Sequence, residues 1–156
     1  MSEVHSSMVV HAHESKVREM VVQSYTFTNL VREKNISLTT FRKTGEEVVT
    51  PMWFAESIGT IYLETGANAG KLKRISHTTR VTLAPCTFSG KVTGSEIEGE
   101  ARMLTESQEI ITAKAAMSKK YGLVRNLYYF LLGTIDTIQR KPKIDFVYIA
   151  IEPISN

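Results

Sequence analysis

The most informative segment of this chain is Thr60-Ile-Tyr-Leu-Glu-Thr-Gly-Ala-Asn-Ala-Gly-Lys-Leu-Lys-Arg74. Its first six residues are rich in β-branched and aromatic side chains, which predicts a strand. A glycine-rich turn follows, and the spacing of Leu72 and Ile75 indicates a short helix that begins near Lys71. Glycines allow close backbone approach, while free N–H groups and a lysine at a helix start favour an anion. The segment therefore predicts a phosphate site, and a phosphorylated cofactor is the leading hypothesis.

Further strands surround this segment. Residue types typical of strands, separated by turn residues, predict six of them at 35–42, 47–55, 60–65, 80–85, 96–104 and 144–151, with a further short strand possible in 88–95. Turn chemistry at 43–46 joins the first two as a hairpin. Pro51 lacks a backbone donor, which places the second strand at a sheet edge or a bulge. The pattern indicates a mainly antiparallel sheet.

Helices are expected mainly in the last third of the chain. Thr105-Glu-Ser-Gln108 has the pattern of a capping box, so a helix should follow it as far as Tyr121-Gly122. The next segment, 123–133, is apolar on more than one face and must be covered by protein. We expect it to pack under the sheet, with a dimer contact or a substrate wall as the alternatives.

The N-terminal residues 1–24 read as an extension, and residues 25–156 as one β domain. A short helix is expected at 14–23 within the extension. His11 and His13 form a His-x-His pair, but no third ligand lies at a convincing distance, so no metal site is predicted.

Charge and cysteine content exclude several classes of protein. The 19 basic and 16 acidic residues give a net charge of +3, which is too small an excess for a nucleic-acid groove. A single cysteine, Cys86, excludes an intrachain disulfide and a cysteine metal cluster. The single cysteine favours a reducing cytoplasm, and the small charge excess argues against a nucleic-acid partner. We expect no membrane partner, because no apolar run approaches the roughly 18 residues needed to span a bilayer.

Five segments, in order and with compatible spacing, carry a family likeness. They are Leu38-Thr-Thr-Phe-Arg-Lys-Thr-Gly45, Val49-Thr-Pro-Met-Trp-Phe54, Thr65-Gly-Ala-Asn-Ala-Gly-Lys-Leu-Lys-Arg74, Arg80-Val-Thr-Leu-Ala-Pro-Cys86, and Val92-Thr-Gly94 with Glu98-Gly-Glu-Ala-Arg102. Together they resemble the pyridoxamine 5'-phosphate oxidase-like split β-barrel proteins, most closely the branch of 8-hydroxy-5-deazaflavin-dependent oxidoreductases. The resemblance runs from about residue 35 to the C-terminus. It implies a mainly β (α+β) fold: a six-stranded antiparallel split barrel with flanking helices, as in flavin reductases. It also implies a homodimer with two cofactor sites at the subunit interface.

The resemblance also implies a set of cofactor-binding residues. In the oxidase relatives, a strand ending in Tyr-Thr leads into a Ser-Arg-Lys turn whose basic residues bind the FMN phosphate. Here Glu64-Thr65 and Gly70-Lys71 occupy those places, so the lysine matches, the arginine is missing, and Lys73 or Arg74 would supply its charge. The second strand would pass along the isoalloxazine ring. The implied set is Val49, Thr50, Pro51, Met52, Trp53, Glu64, Thr65, Gly70, Lys71 and Arg74.

The implied function is hydride transfer between bound FMN, or alternatively the 8-hydroxy-5-deazaflavin coenzyme, and an unidentified small organic substrate. The incomplete Ser-Arg-Lys turn argues against vitamin B6 oxidation. No acid–base pair is visible, and no spacing singles out Tyr62, Tyr121, Tyr128 or His77 as a proton donor. The alternative is a protein of the same fold that binds or stores a flavin, a deazaflavin or haem without turnover.

Overall fold

The computed structural model describes residues 11–18, 27–139 and 145–154. The helices are α1 (residues 11–18), α2 (Thr28–Val31), α3 (Gly70–His77) and α4 (Ser107–Gln139). The strands are β1 (Asn35–Phe41), β2 (Glu47–Met52), β3 (Phe54–Ser57), β4 (Thr60–Gly66), β5 (Arg80–Cys86), β6 (Ile97–Met103) and β7 (Phe146–Pro153). The helix predicted at 14–23 is seen as helical residues 11–18, and the rest of that prediction lies outside the described residues.

All seven strands belong to one antiparallel sheet with the order β2-β1-β5-β6-β7-β4-β3. Its two edge strands, β2 and β3, are consecutive in the chain and are separated only by Trp53. A sheet whose opposite edges are joined by one residue has to curl, which produces the split half-barrel. The predicted fold class is confirmed, but the strand number is wrong. The continuous segment predicted at 47–55 divides at Trp53 because its halves pair with different neighbours, β1 and β4.

Alternating side chains of the strands fill the interior of the barrel. Its fully buried members include Leu38, Phe54, Ile61, Leu63, Val81, Leu83, Ala101, Ile149 and Ile151. A second, smaller cluster lies on the other face, where Tyr62, Tyr148 and Ala150 of the sheet pack against Ala113 at the start of α4. The sheet therefore has one largely apolar face, which also buries Thr40 and Thr65, and one face partly covered by α4.

Helix α4 is broken at Gly122, where φ is 45° and ψ is −121°. Glycine tolerates this backbone conformation far better than other residues. The part after Gly122 exposes large apolar side chains: Leu123 (85% exposed), Val124, Leu127, Phe130 (70% exposed) and Leu131. The expectation that 123–133 packs under the barrel is therefore wrong, and this surface, called here the distal α4 face, is open to solvent.

Three smaller findings complete the fold. The segment 88–95 forms a turn with one isolated bridge, Cys86 to Val92, rather than a strand. Helix α4 begins at Ser107, two residues beyond the predicted cap at Thr105. In the part of the chain that the structure describes, no helix combines the length and apolar character needed to cross a membrane.

Candidate functional site

A cavity of about 480 Å³ opens where the sheet edges meet. It lies at the β2–β3 crossover, beside the end of β4 and under the distal part of α4. It is lined by Asn35, Pro51, Met52, Trp53, Glu64, Thr65, Gly66, Phe88, Tyr128, Leu132 and Phe146. Aromatic and apolar side chains dominate this lining, and it includes one carboxylate. Such a cavity suits a flat, largely apolar ring system.

The crossover residue Trp53 is held by two tyrosines of α4. Its ring stacks on Tyr121 at a centroid distance of 5.2 Å and meets Tyr128 edge-on at 5.2 Å. The Tyr121 hydroxyl accepts the Phe54 N–H at 2.9 Å, and the carbonyl oxygens of Phe54 and Lys34 share its proton at 2.7 and 2.8 Å. Burial raises the pKa of Tyr121 to about 12. The hydroxyl therefore stays protonated and fixes this wall of the cavity.

Two cations meet at the start of α3. Lys71 Nζ donates to Thr65 Oγ1 at 3.3 Å, and Arg74 Nε donates to Thr40 Oγ1 at 2.7 Å. Burial, together with repulsion from Arg74, lowers the pKa of Lys71. A bound anion would offset that repulsion and would also meet the positive end of α3. Because Thr65 lines the cavity, Lys71 lies directly beside it, and Arg74 is close enough to lower the pKa of Lys71.

Gly70 lies against the second cation. A Cβ atom at this position would stand only 3.1 Å from Arg74 Nη1. The Arg74 guanidinium therefore folds back over the first turn of α3, above the position where the resemblance expects an arginine. The charge expected beside Lys71 is supplied from one helical turn further along.

A buried ion pair supports the opposite wall. Arg125 of α4 holds the two carboxylate oxygens of Glu64 at 2.8 and 3.3 Å, and the side chains are 12% and 4% exposed. The Tyr148 hydroxyl also donates to Glu64, and Arg125 reaches that hydroxyl at 3.2 Å. Burial and the Glu64 carboxylate raise the pKa of Tyr148. The pair anchors α4 beyond the break at Gly122, so that Tyr128 and Leu132 face the cavity.

The structure brings only part of the predicted set to the cavity. The members that line it are Pro51, Met52, Trp53, Glu64 and Thr65, while Gly70, Lys71 and Arg74 form the adjacent basic corner. Val49 and Thr50 are not among the described lining residues. Val49 lies two residues before Pro51 on the same exposed side of β2, and Thr50 lies on the opposite side.

Several lining residues were missed by sequence reasoning. Phe88, Tyr128, Leu132 and Phe146 come from a turn, α4 and β7, and no local motif marks them. Arg125 was the one signal in the sequence that this part of α4 contacts the sheet. It is a charged residue inside the apolar segment 123–133, which indicates a buried partner.

The curled sheet and this cavity define a split-barrel protein with a site suited to a planar anionic ligand. The sequence pattern of the pyridoxamine 5'-phosphate oxidase family matches residues 26–155, so the chain belongs to that family. The family commonly binds flavins. None of the curated proteins compared with the chain matches it in sequence.

Solved structures support the fold. A candidate pyridoxamine 5'-phosphate oxidase from Listeria innocua is 16% identical, with a TM-score of 0.57 over 86% of this chain and 94% of that one. The heme storage protein HutZ from Vibrio cholerae is 14% identical, with a TM-score of 0.55 over 92% and 91%. An F420 reductase is 16% identical, with a TM-score of 0.52 over 84% and 94%. At these identities the likeness concerns the fold alone.

The site fits a flavin-type group by size and by chemistry. Its volume lies within the usual 300–1,000 Å³ of small-molecule sites. Trp53 and Pro51 offer flat apolar surfaces, and the Lys71–Arg74 pair offers charge for a phosphate. Among the described residues no group of histidine, cysteine or acidic side chains could hold a metal ion.

Proposed function

We propose that the cavity binds FMN, with the 8-hydroxy-5-deazaflavin coenzyme as the alternative, and that the chain transfers a hydride between that cofactor and a small organic substrate. One observation carries this proposal: an apolar cavity of about 480 Å³ adjoins a partly desolvated pair of cations, and Thr65 connects the two. A planar ring with an anionic tail satisfies both parts at once.

The residues take separate roles in this proposal. Lys71 and Arg74 bind the phosphate, and Gly70 keeps the space above the helix start open for the Arg74 guanidinium. Pro51 and Trp53 bound the ring on the crossover side. When bound, a flavin or deazaflavin supplies the hydride chemistry at its ring, and the protein supplies position and electrostatics.

The remaining walls order the site and exclude water. Trp53 contacts the rings of both Tyr121 and Tyr128, and the Glu64 charge is compensated by Arg125. Removing water from such a cavity strengthens the electrostatic interactions inside it. Phe88 stands at the mouth, 81% exposed, where it can stack on a flat substrate.

The test is a fluorescence titration of the purified chain with FMN and with the deazaflavin coenzyme. Lys71→Ala should weaken binding by about 1–3 kcal/mol, the range for losing a hydrogen bond to a charged group. Lys43→Ala, which removes an exposed turn lysine, is the matched control and should bind as the wild type does. Failure of the wild type to bind either compound would refute the proposal, and an unchanged affinity of Lys71→Ala would remove that lysine from the site.

We also propose that the chain works as a homodimer with its cofactor sites at the subunit interface. The distal α4 face supports this assembly. Its exposed apolar residues lie on the same helix as Tyr128, which lines the cavity. Contiguous apolar surface of this kind is typical of interaction sites. Phe130→Asp should convert a dimer to a monomer in analytical ultracentrifugation, whereas Ile58→Asp, at an equally exposed turn, should not. A wild-type monomer would contradict this assembly.

Binding without turnover is the second candidate. It is favoured by the state of Glu64, the one described carboxylate in the cavity lining, which is already engaged by Arg125 and Tyr148 and so is poorly placed to move protons. The heme storage protein among the structural neighbours shares this fold. The absorption spectrum of protein purified from its native host distinguishes flavin, deazaflavin and haem. Anaerobic reoxidation of the reduced cofactor by quinones then separates an enzyme from a carrier.

A further inference from the structure

A second cavity, of about 320 Å³, lies between the edge strand β3 and the first part of α4. It is lined by Ala55, Glu56, Ser57, Ala116, Lys119 and Lys120. The two cavities share no lining residue among those the structure describes, so this one is separate from the proposed cofactor site.

Lys120 is the unusual residue of this cavity. Its Nζ atom is buried and has no hydrogen-bond acceptor in the described part of the chain. It lies 3.4 Å from the centroid of the Phe54 ring, a cation–π contact that offsets part of its desolvation. An ammonium group has three donors, and a ring face satisfies none of them as an oxygen would. Burial lowers the pKa of Lys120 to about 8, while Glu33 and Glu56 act in the opposite direction.

The edge of β3 adds a backbone donor. Ile58 and Gly59 both have positive φ, at 51° and 78°, as in a two-residue hairpin turn closed by the pair Ser57 and Thr60. Hydrogen-bonded pairs alternate along antiparallel strands, so the N–H of Glu56 points away from β4. The N–H of Phe54 points the same way and is bound by Tyr121.

The carboxylate of Glu56 does not accept a hydrogen bond from Lys120 Nζ. Its Oε1 atom accepts the N–H of Gly59 at 2.6 Å, which closes the hairpin turn. The lining therefore brings together two lysines, the Ser57 hydroxyl and the outward-facing Glu56 N–H. The Glu56 carbonyl oxygen points the same way as that N–H, but Lys120 Nζ has no acceptor among the described residues. Groups of this kind are the ones that bind oxygen anions in proteins.

We propose that this cavity is a second ligand site that takes a small oxyanion, the carboxylate or phosphate group of a small molecule. Lys120 lines the cavity, and rotation about its side-chain bonds carries the ammonium from the Phe54 ring to the ligand oxygen. The Glu56 N–H and the Ser57 hydroxyl bind the remaining oxygens, and Lys119 adds charge at the mouth.

The test is a titration of the ¹⁵N-labelled full-length chain, as purified, with sodium phosphate and separately with sodium acetate, followed by amide spectra. We expect saturable shifts at Ala55, Glu56 and Ser57 with at least one anion, and the effective anion identifies the ligand group. Shifts at Lys71 report the cofactor corner independently. The proposal is overturned by a wild-type titration in which residues 55–57 show no saturable shift, whatever happens at Lys71.

Two variants sharpen the result. Lys120→Met should weaken the response of residues 55–57 by about tenfold or more, because a charged donor is lost. Its response at Lys71 should stay unchanged. Lys43→Met removes an exposed charge of the same sign elsewhere and should titrate as the wild type does. Equal affinities at residues 55–57 in Lys120→Met and wild type would overturn the assignment.

Discussion

Replacing Arg125 by methionine tests how the wall of the main cavity is built. The change keeps an unbranched side chain but leaves the Glu64 carboxylate, 4% exposed, without its cation. Removing one partner of a buried pair costs about 3–5 kcal/mol, because the other charge stays buried and uncompensated. Tyr148 still donates to Glu64, so we expect the lower end of that range, about 3 kcal/mol.

Urea denaturation followed by circular dichroism, at one fixed protein concentration, measures this cost. With an m-value of about 1–3 kcal/mol/M, a loss of about 3 kcal/mol lowers the midpoint by roughly 1–3 M. Arg102→Met is the matched control, because Arg102 also holds carboxylates, those of Glu109 and Glu152, but is 47% exposed. Exposed pairs contribute only about 0–1 kcal/mol.

The double variant Glu64→Gln/Arg125→Met supplies the decisive comparison. Once the carboxylate is neutral, the missing guanidinium matters less, so the double variant should be more stable than Arg125→Met alone. The reasoning is refuted if Arg125→Met costs no more than Arg102→Met, or if the effects of the two substitutions simply add.

Two further predictions concern single positions. Gly70→Ala should stabilise α3 by up to about 1 kcal/mol, because alanine has the higher helix propensity. It should nevertheless weaken FMN or deazaflavin binding, because its Cβ would stand 3.1 Å from Arg74 Nη1 and displace the guanidinium. Equal dissociation constants for variant and wild type would contradict this. For Lys120, burial lowers the folded-state pKa to about 8, whereas the unfolded chain keeps about 10.4. The unfolded state then binds more protons between these values, so this group makes stability rise from pH 8 to 10. Denaturation curves of Lys120→Met should show a smaller rise, and parallel curves would exclude the effect.

The order of strands along the chain could be predicted from sequence because each is a local pattern bounded by turn residues. Pro51 also indicated an edge strand, and β2 is an edge. The division at Trp53 could not be read locally, because 47–55 is a continuous strand-like run. Only the pairing of its halves with β1 and β4, which are distant partners, reveals it.

The same distinction separates the predictable and unpredictable parts of the site. Thr65 and Lys71 are six residues apart, on one strand–turn–helix unit, and the structure brings them into contact. Arg125 meets Glu64 across 61 residues, and its place depends on the break at Gly122. The exposure of the distal α4 face was mispredicted for a related reason: an apolar helix must be covered, but a single chain does not say by what.

The missing arginine beside Lys71 illustrates how a residue one helical turn away can bring a similar charge to the same place. Residues four apart lie on the same face of a helix, so Arg74 can fold back over the start of α3 and bring its charge near Lys71. A Cβ at position 70 would stand 3.1 Å from Arg74 Nη1 and would displace the guanidinium by a few tenths of an ångström, and glycine stands there. The departure from the family pattern and the basic residue one turn later are therefore best understood as one arrangement. Position 70 alone shows only that the arginine of the family pattern is lost, whereas the helix geometry keeps two cations, Lys71 and Arg74, close together.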